Sequence, residues 1–194
     1  MLSTILTPTL VDRLWPANRS EQKALRAVVL ALAGSLLLWA SAKVQVPFYP
    51  VPITMQTGVV LLLGIAYGPR LAVATVLLYI AEGAVGLPVF AGTPERGIGL
   101  AYMVGPTGGY LVGFLAAAVI AGWTAERSRH WLSTAVGLLG AMVAIHALGA
   151  AWLATFVGPA KAVSLGVLPF LLGDAVKLAL VTAAAEAGLA RPRA

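Results

Sequence analysis

The chain of 194 residues is 60% hydrophobic and only 10% charged, with a mean hydropathy of +0.92. Soluble domains carry about 25% charged residues, so a soluble globular fold is excluded and an integral membrane protein is implied. The formal charge of +6 comes from 13 basic residues scattered between apolar runs; they form no patch suited to nucleic acid and instead report topology. Without cysteine there is no disulfide framework or thiolate nucleophile, and with only His130 and His146 as histidines no metal centre is expected.

Residues 1–23 lack the pattern of a cleaved signal peptide. Leu2, Ile5, Leu6, Leu10, Leu14 and Trp15 instead suggest a short interfacial stretch interrupted by Pro8 and Pro16. A bilayer crossing needs about 20 apolar residues, and 24–42 is the first such run. It carries Ala27, Ala31 and Ser35 at four-residue spacing, small residues that let another helix approach, within this chain or in a partner. Pro47, Pro50 and Pro52 then deny residues 43–55 a helix. The extended loop they leave offers Gln45, Phe48, Tyr49 and the adjoining Gln56, either to a small-molecule pocket or as a stiff connector.

Residues 54–67 and 71–85 are apolar runs separated by the turn Gly68-Pro69-Arg70. Both are short for a span, which local bilayer thinning or helices ending inside the protein accommodate. Glu82, near the end of the second run, either lines a site or reaches for the interface, and the second is favoured. Residues 86–105 form a long Gly- and Pro-rich loop with Phe90, Arg96 and Tyr102 as contact residues, and a lid is the usual role of such a loop. A helix over 106–123 follows, with Thr107 as its expected N-cap. No G-x-x-x-x-G-K-[ST] pattern occurs, which excludes an ATPase of that type.

Residues 132–157 hold His146, read as a hydrogen-bonded core residue in preference to a ligand. The final run, 163–187, contains Pro169, expected to bend it, then Asp174 and Lys177. Each charge costs roughly 2.5–3.5 kcal/mol at the centre of an inserting helix. At i and i+3 both side chains share one helix face and point into protein. They mark a site, or an ion pair that only fixes helix register. Six spans, near 24–42, 54–67, 71–85, 106–123, 132–157 and 163–187, place both termini on one side. That side holds Arg13, Arg19, Lys23, Arg26, Arg70, Arg127, Arg129, Arg191 and Arg193, against Lys43, Arg96 and Lys161 on the other. The positive-inside rule makes the termini cytoplasmic. The expectation is one all-α transmembrane domain over 1–194, with a cytoplasmic segment over 1–23 and two ordered outward-facing loops, 43–56 and 86–105.

Four ordered stretches, VPITMQT (51–57), GAVGLPVFAG (83–92), VGPTGGYLVGF (104–114) and GDAVK (173–177), resemble the BioY family, the biotin-specific substrate-capture component of energy-coupling-factor (ECF) transporters. The resemblance runs from about Ala24 to Ala187. It implies six helices, a biotin pocket near the outer face, uptake across the bacterial inner membrane, no cofactor and no catalysis in this subunit. Carried over by position, Asp174 and Lys177 meet the ureido ring of biotin, with Gln56 and Tyr110 beside them. Phe48 and Phe90 suit its apolar ring and chain, and Arg96 its carboxylate, although Thr93-Pro94-Glu95-Arg96 departs from the family's glycine-rich pattern. Ala27, Ala31 and Ser35 correspond to the docking surface for a transmembrane coupling protein, which works with paired ATP-binding cassette ATPases; self-association is the alternative. Competing readings are a different vitamin on the same fold, an intramembrane enzyme using Asp174, His146 and Lys177, and a structural subunit without a small-molecule ligand.

Overall fold

The computed structural model describes residues 9–92, 98–128 and 130–189. Its elements are almost all helical. A short α1 (Leu10–Leu14) precedes α2 (Ser20–Lys43), which starts before the apolar run does. Gln22 explains the early start, because its side-chain oxygen accepts from the backbone N–H groups of Asn18 and Arg19 at 3.3 Å each. The proline-rich connection is a small hairpin: β1 (Gln45–Val46) pairs antiparallel with β2 (Ile53–Thr54), Gln45 opposite Thr54.

The next element, α3 (Gln56–Ala84), is continuous by hydrogen bonding but broken at Gly68, whose φ of 75° and ψ of 172° are not helical. Glycine tolerates that backbone, and Pro69 then opens the second arm. Gln56 Nε2 donates to the Tyr79 hydroxyl at 2.7 Å across 23 residues. A straight helix would separate these residues by about 35 Å, so the two arms fold back antiparallel. Gly122 lies on the bend, and a Cβ there would collide with the backbone of Gly68 and Pro69.

The following loop contains α4 (Leu100–Met103) and leads into α5 (Gly108–Arg127). Thr107 precedes α5 with helical φ and ψ, and its side chain makes no capping bond; the expected N-cap is corrected, since a capping residue takes an extended backbone that Thr107 does not have. Next comes α6 (Trp131–Val157), capped by His130 Nδ1 accepting from the Leu132 N–H. The last expected span is interrupted. Gly158 turns the chain at φ 83°, Pro159 starts α7 (Pro159–Gly166), a 3₁₀ turn covers Leu168–Phe170, and α8 (Leu171–Ala184) runs on into a π-helical turn, Ala185–Leu189. A proline at the first helical position and another two residues into the break account for the division.

Among the described residues, five helical segments are long and apolar enough to cross a membrane. Large apolar side chains face outward on them, Leu32 and Leu36 on α2 and Leu172 and Leu180 on α8 among others, as lipid-facing surfaces require. The chain is a multi-pass membrane protein. Its two ends differ. At one, Arg13 donates to the Gly188 carbonyl at 3.1 Å, and Thr9 and Glu126 lie beside Gly68. At the other, the Lys43 ammonium holds the Pro88 and Phe90 carbonyls at 2.9 and 3.0 Å, joining α2 to the 85–107 connection.

Candidate binding site

The hairpin delivers Thr54, Gln56 and Thr57 to the start of α3, and α8 brings Asp174 and Lys177 against them. The Lys177 ammonium has three donors, and each has an acceptor: the Thr54 carbonyl at 2.7 Å, the Thr57 hydroxyl at 2.9 Å and Asp174 Oδ1 at 3.0 Å. Thr57 in turn donates to Asp174 Oδ1 at 3.1 Å. The second carboxylate oxygen, Oδ2, meets His146 Nε2 at 2.6 Å. Asp174 and Lys177 are only 2% and 6% exposed, so two charges that are costly in an apolar medium sit inside a complete set of partners from α3, α6 and α8.

Next to this cluster is a small cavity of about 40 Å³, tighter than the roughly 300–1,000 Å³ of a filled small-molecule site, so its walls must part to admit a ligand. Thr54, Gln56, Thr57 and His146 give it a polar side; Tyr102, Tyr110, Phe114 and Phe170 give it aromatic walls. Tyr110 turns its hydroxyl away to the Gly166 carbonyl, at 2.7 Å, and stacks against Phe170. Gln56 belongs to a relay in which the Tyr79 hydroxyl accepts from it and donates to the Val89 carbonyl at 3.0 Å. Phe90 is wedged between Tyr79, edge-on at 5.5 Å, and Tyr102, stacked at 4.8 Å. His146 and Asp174 also border a second, apolar groove of about 500 Å³ between α6 and α7–α8.

The structure therefore gathers Asp174, Lys177, Gln56 and Tyr110 at one place, with Gln56 and Tyr110 on the cavity wall and the charged pair directly behind Thr57 and His146. Phe90 is not on the wall; it backs Tyr102, because the tight turn after α3 folds it onto Gly83. Phe48 is half-buried in the hairpin turn and does not border the cavity. Arg96 lies outside the described residues. Ser35 is 1% exposed and donates to Glu82, so it faces α3 and not a partner surface, while Ala27 and Ala31 are half-buried. Glu82 is accordingly held by α2, where an interfacial position was expected. His146, expected as a hydrogen-bonded core residue, is one, and its partner is Asp174; Thr57 and Tyr79 are the members that sequence reasoning passed over. The available signal was that an aspartate has two oxygens and a lysine at i+3 satisfies one.

The profile of the BioY family matches residues 15–193. A probable biotin transporter BioY from Pyrococcus horikoshii is 40% identical over 168 residues, 87% of this chain and 96% of its own length. The biotin transporter BioY of Thermotoga maritima is 36% identical over 158 residues, 79% and 90% of the two chains. A crystal structure of the S-component for biotin from an ECF-type ABC transporter superposes with a TM-score of 0.75 at 23% identity, over 87% of this chain and 93% of that one; at that identity the likeness is one of fold. Profile and relatives together span nearly the whole chain, and the protein belongs to the BioY family.

Proposed function

We propose that this protein captures biotin and mediates its uptake, as the substrate-specific component of an ECF-type transporter. The observation that carries the reading is the cavity: one polar side above a buried carboxylate–ammonium pair, enclosed by aromatic walls. Biotin has the matching division, a fused ureido ring with two N–H donors and one carbonyl acceptor, and an apolar ring and chain. Asp174 and Lys177 are the proposed supports of the ureido end, acting through Thr57 and His146 on the cavity wall, and the second amide N–H of Gln56 suits the ureido carbonyl. Tyr110 and Phe170 suit the apolar ring. Arg96 is the proposed partner of the carboxylate, on sequence grounds alone.

The folded-back α3 supports a reading in which its two arms each enter the membrane, making six passes in a single domain. Arg13, Arg26, Arg70 and Arg127 belong to the end where Arg13 meets Gly188, which supports a cytoplasmic placement of that end under the positive-inside rule. The cavity then opens outward in a bacterial inner membrane. A transmembrane coupling protein and paired ATPases are the proposed partners, with Ala27 and Ala31 on the docking face; this subunit itself catalyses no covalent step.

Equilibrium binding of labelled biotin to the purified protein, beside an Asp174→Asn variant and with other vitamins as competitors, tests this. Saturable binding lost in the variant is expected. Displacement by another vitamin at lower concentration changes the ligand, and no binding by folded protein removes the reading.

A further inference from the structure

Asp174 offers two oxygens to three neighbours. Thr57 and Lys177 both meet Oδ1, which leaves Oδ2 to His146. A carboxylate oxygen only accepts, so the imidazole proton is on Nε2. Lys177 already balances the charge of Asp174, and a second cation in the apolar bundle would be an unpaired intramembrane charge. In the tautomer that carries its proton on Nε2, the other nitrogen is a bare acceptor. Nδ1 is buried without a hydrogen-bond partner among the described residues, on a residue 8% exposed that borders the cavity beside Tyr110 and Phe170. A buried acceptor left unpaired is costly, and a donor on a ligand relieves that cost.

We propose that His146 is a ligand-contacting, specificity-determining residue: its Nδ1 accepts a hydrogen bond from an N–H of the captured molecule, with Asp174 fixing the tautomer that makes this possible. The proposal rests on the biotin reading and adds His146 to the ureido end of the site. At neutral pH the carboxylate of biotin is ionised, so its only N–H or O–H donors are the two N–H groups of the ureido ring. The ureido ring thus lies against α6 and the acid chain points to the mouth. Selectivity at this position is for a donor; an analogue methylated on both ureido nitrogens leaves Nδ1 unpaired and is rejected, whereas a change at the carboxyl end does not register at His146.

With only two histidines in the chain, ¹⁵N-histidine labelling in a His130→Gln background reads His146 alone. The expected spectrum has a protonated Nε2 and an unprotonated Nδ1, with the Nδ1 resonance moving upfield when biotin is added. In parallel, biotin and N,N′-dimethylbiotin are titrated against the wild type and His146→Leu. Biotin affinity is expected to fall at least about tenfold in the variant, while the dimethyl analogue binds the wild type weakly and loses nothing further. A variant that does not fold leaves the resonance experiment to decide. Wild-type protein that binds biotin with a protonated or unmoved Nδ1 overturns this proposal and leaves biotin capture standing. Wild-type protein that binds no biotin overturns both.

Discussion

The helices α3, α5 and α6 and the last helix, α8, are held in place by different forces. In α3 and α5, 56% and 61% of the membrane-crossing window is buried, against 22% in the final segment. The first group meets through small residues that bring backbones together, Gly122 on Pro69 and Ala121 on Gly64, the close packing that associates helices in lipid. The second is separated from α6 by an apolar groove, and hydrogen bonds from Asp174 and Lys177 tie it to α3 and α6. Since lipid tails are as apolar as leucine, apolar surface alone gives α8 no preferred position. The polar seam that positions α8 is also the back wall of the cavity. Ligand occupancy and the placement of this helix are consequently one equilibrium, whereas the Gly122–Pro69 and Ala121–Gly64 contacts of the scaffold involve none of the residues of that seam.

That contrast can be broken most directly at the seam. Asp174→Asn leaves the Lys177 ammonium buried without its counter-charge, and a stability loss of about 3–5 kcal/mol is expected, together with loss of biotin binding; thermal unfolding in detergent and a binding titration read the two. Unchanged melting would mean that α8 is held by something other than the seam. Gly122→Ala, on the scaffold, should cost about 1–3 kcal/mol through overpacking against Pro69, with the folded fraction keeping its biotin affinity. Reduced affinity at unchanged folding would show that the scaffold and the seam are coupled.

Smaller effects sharpen the same distinction. Tyr79→Phe strands the Gln56 amide and the Val89 carbonyl, for an expected loss of about 1–2 kcal/mol and weaker binding through the displaced Gln56, measured in the same two assays. The smallest effect is expected far from the cavity, where Arg26 pairs with Asp12 at 2.8 Å. Burial pushes the Asp12 carboxyl up, but hydrogen bonds from Thr9 and Arg26 and the Arg26 charge more than offset it, holding the group below its ordinary 3.8. A carboxyl lowered on folding stabilises above the unfolded value and loses that contribution as pH falls through the folded one. Asp12→Asn should therefore cost under about 1 kcal/mol at pH 7, and nothing once the medium is acidic enough to protonate the native carboxyl; unfolding curves across that range check it.

The parts of this molecule legible in one dimension are those whose physics is local. A charge in an apolar run signals its own cost, so Asp174 and Lys177 stood out, and their i, i+3 spacing fixed a common face. Prolines at 47, 50 and 52 and the pair Gly68-Pro69 marked breaks for equally local reasons. What was not legible depends on distant chain. His146 reaches Asp174 across 28 residues and Thr57 across 117, and nothing near His146 distinguishes a partner of an aspartate from an ordinary core histidine. The same holds for Ser35, whose small side chain fits a docking stripe until Glu82, 47 residues on, is found beside it. Phe90 has the right chemistry for a wall, and only the turn after α3 puts it one layer back.

Chain order adds a constraint on how the protein is made. Asp174 and Lys177 are on the final helix, while their partners Thr54, Thr57 and His146 are all translated earlier. When α8 leaves the ribosome, the acceptors and donors that neutralise it are already in the membrane, and the insertion cost of its two charges can be offset at once. Reversing that order, by moving α8 to the front of a permuted chain, would ask a helix with an unmatched carboxylate and ammonium to wait in lipid for its partners. Translation of α8 is thus the step that completes the site, and a chain truncated before α8 would be an inserted scaffold without a binding function.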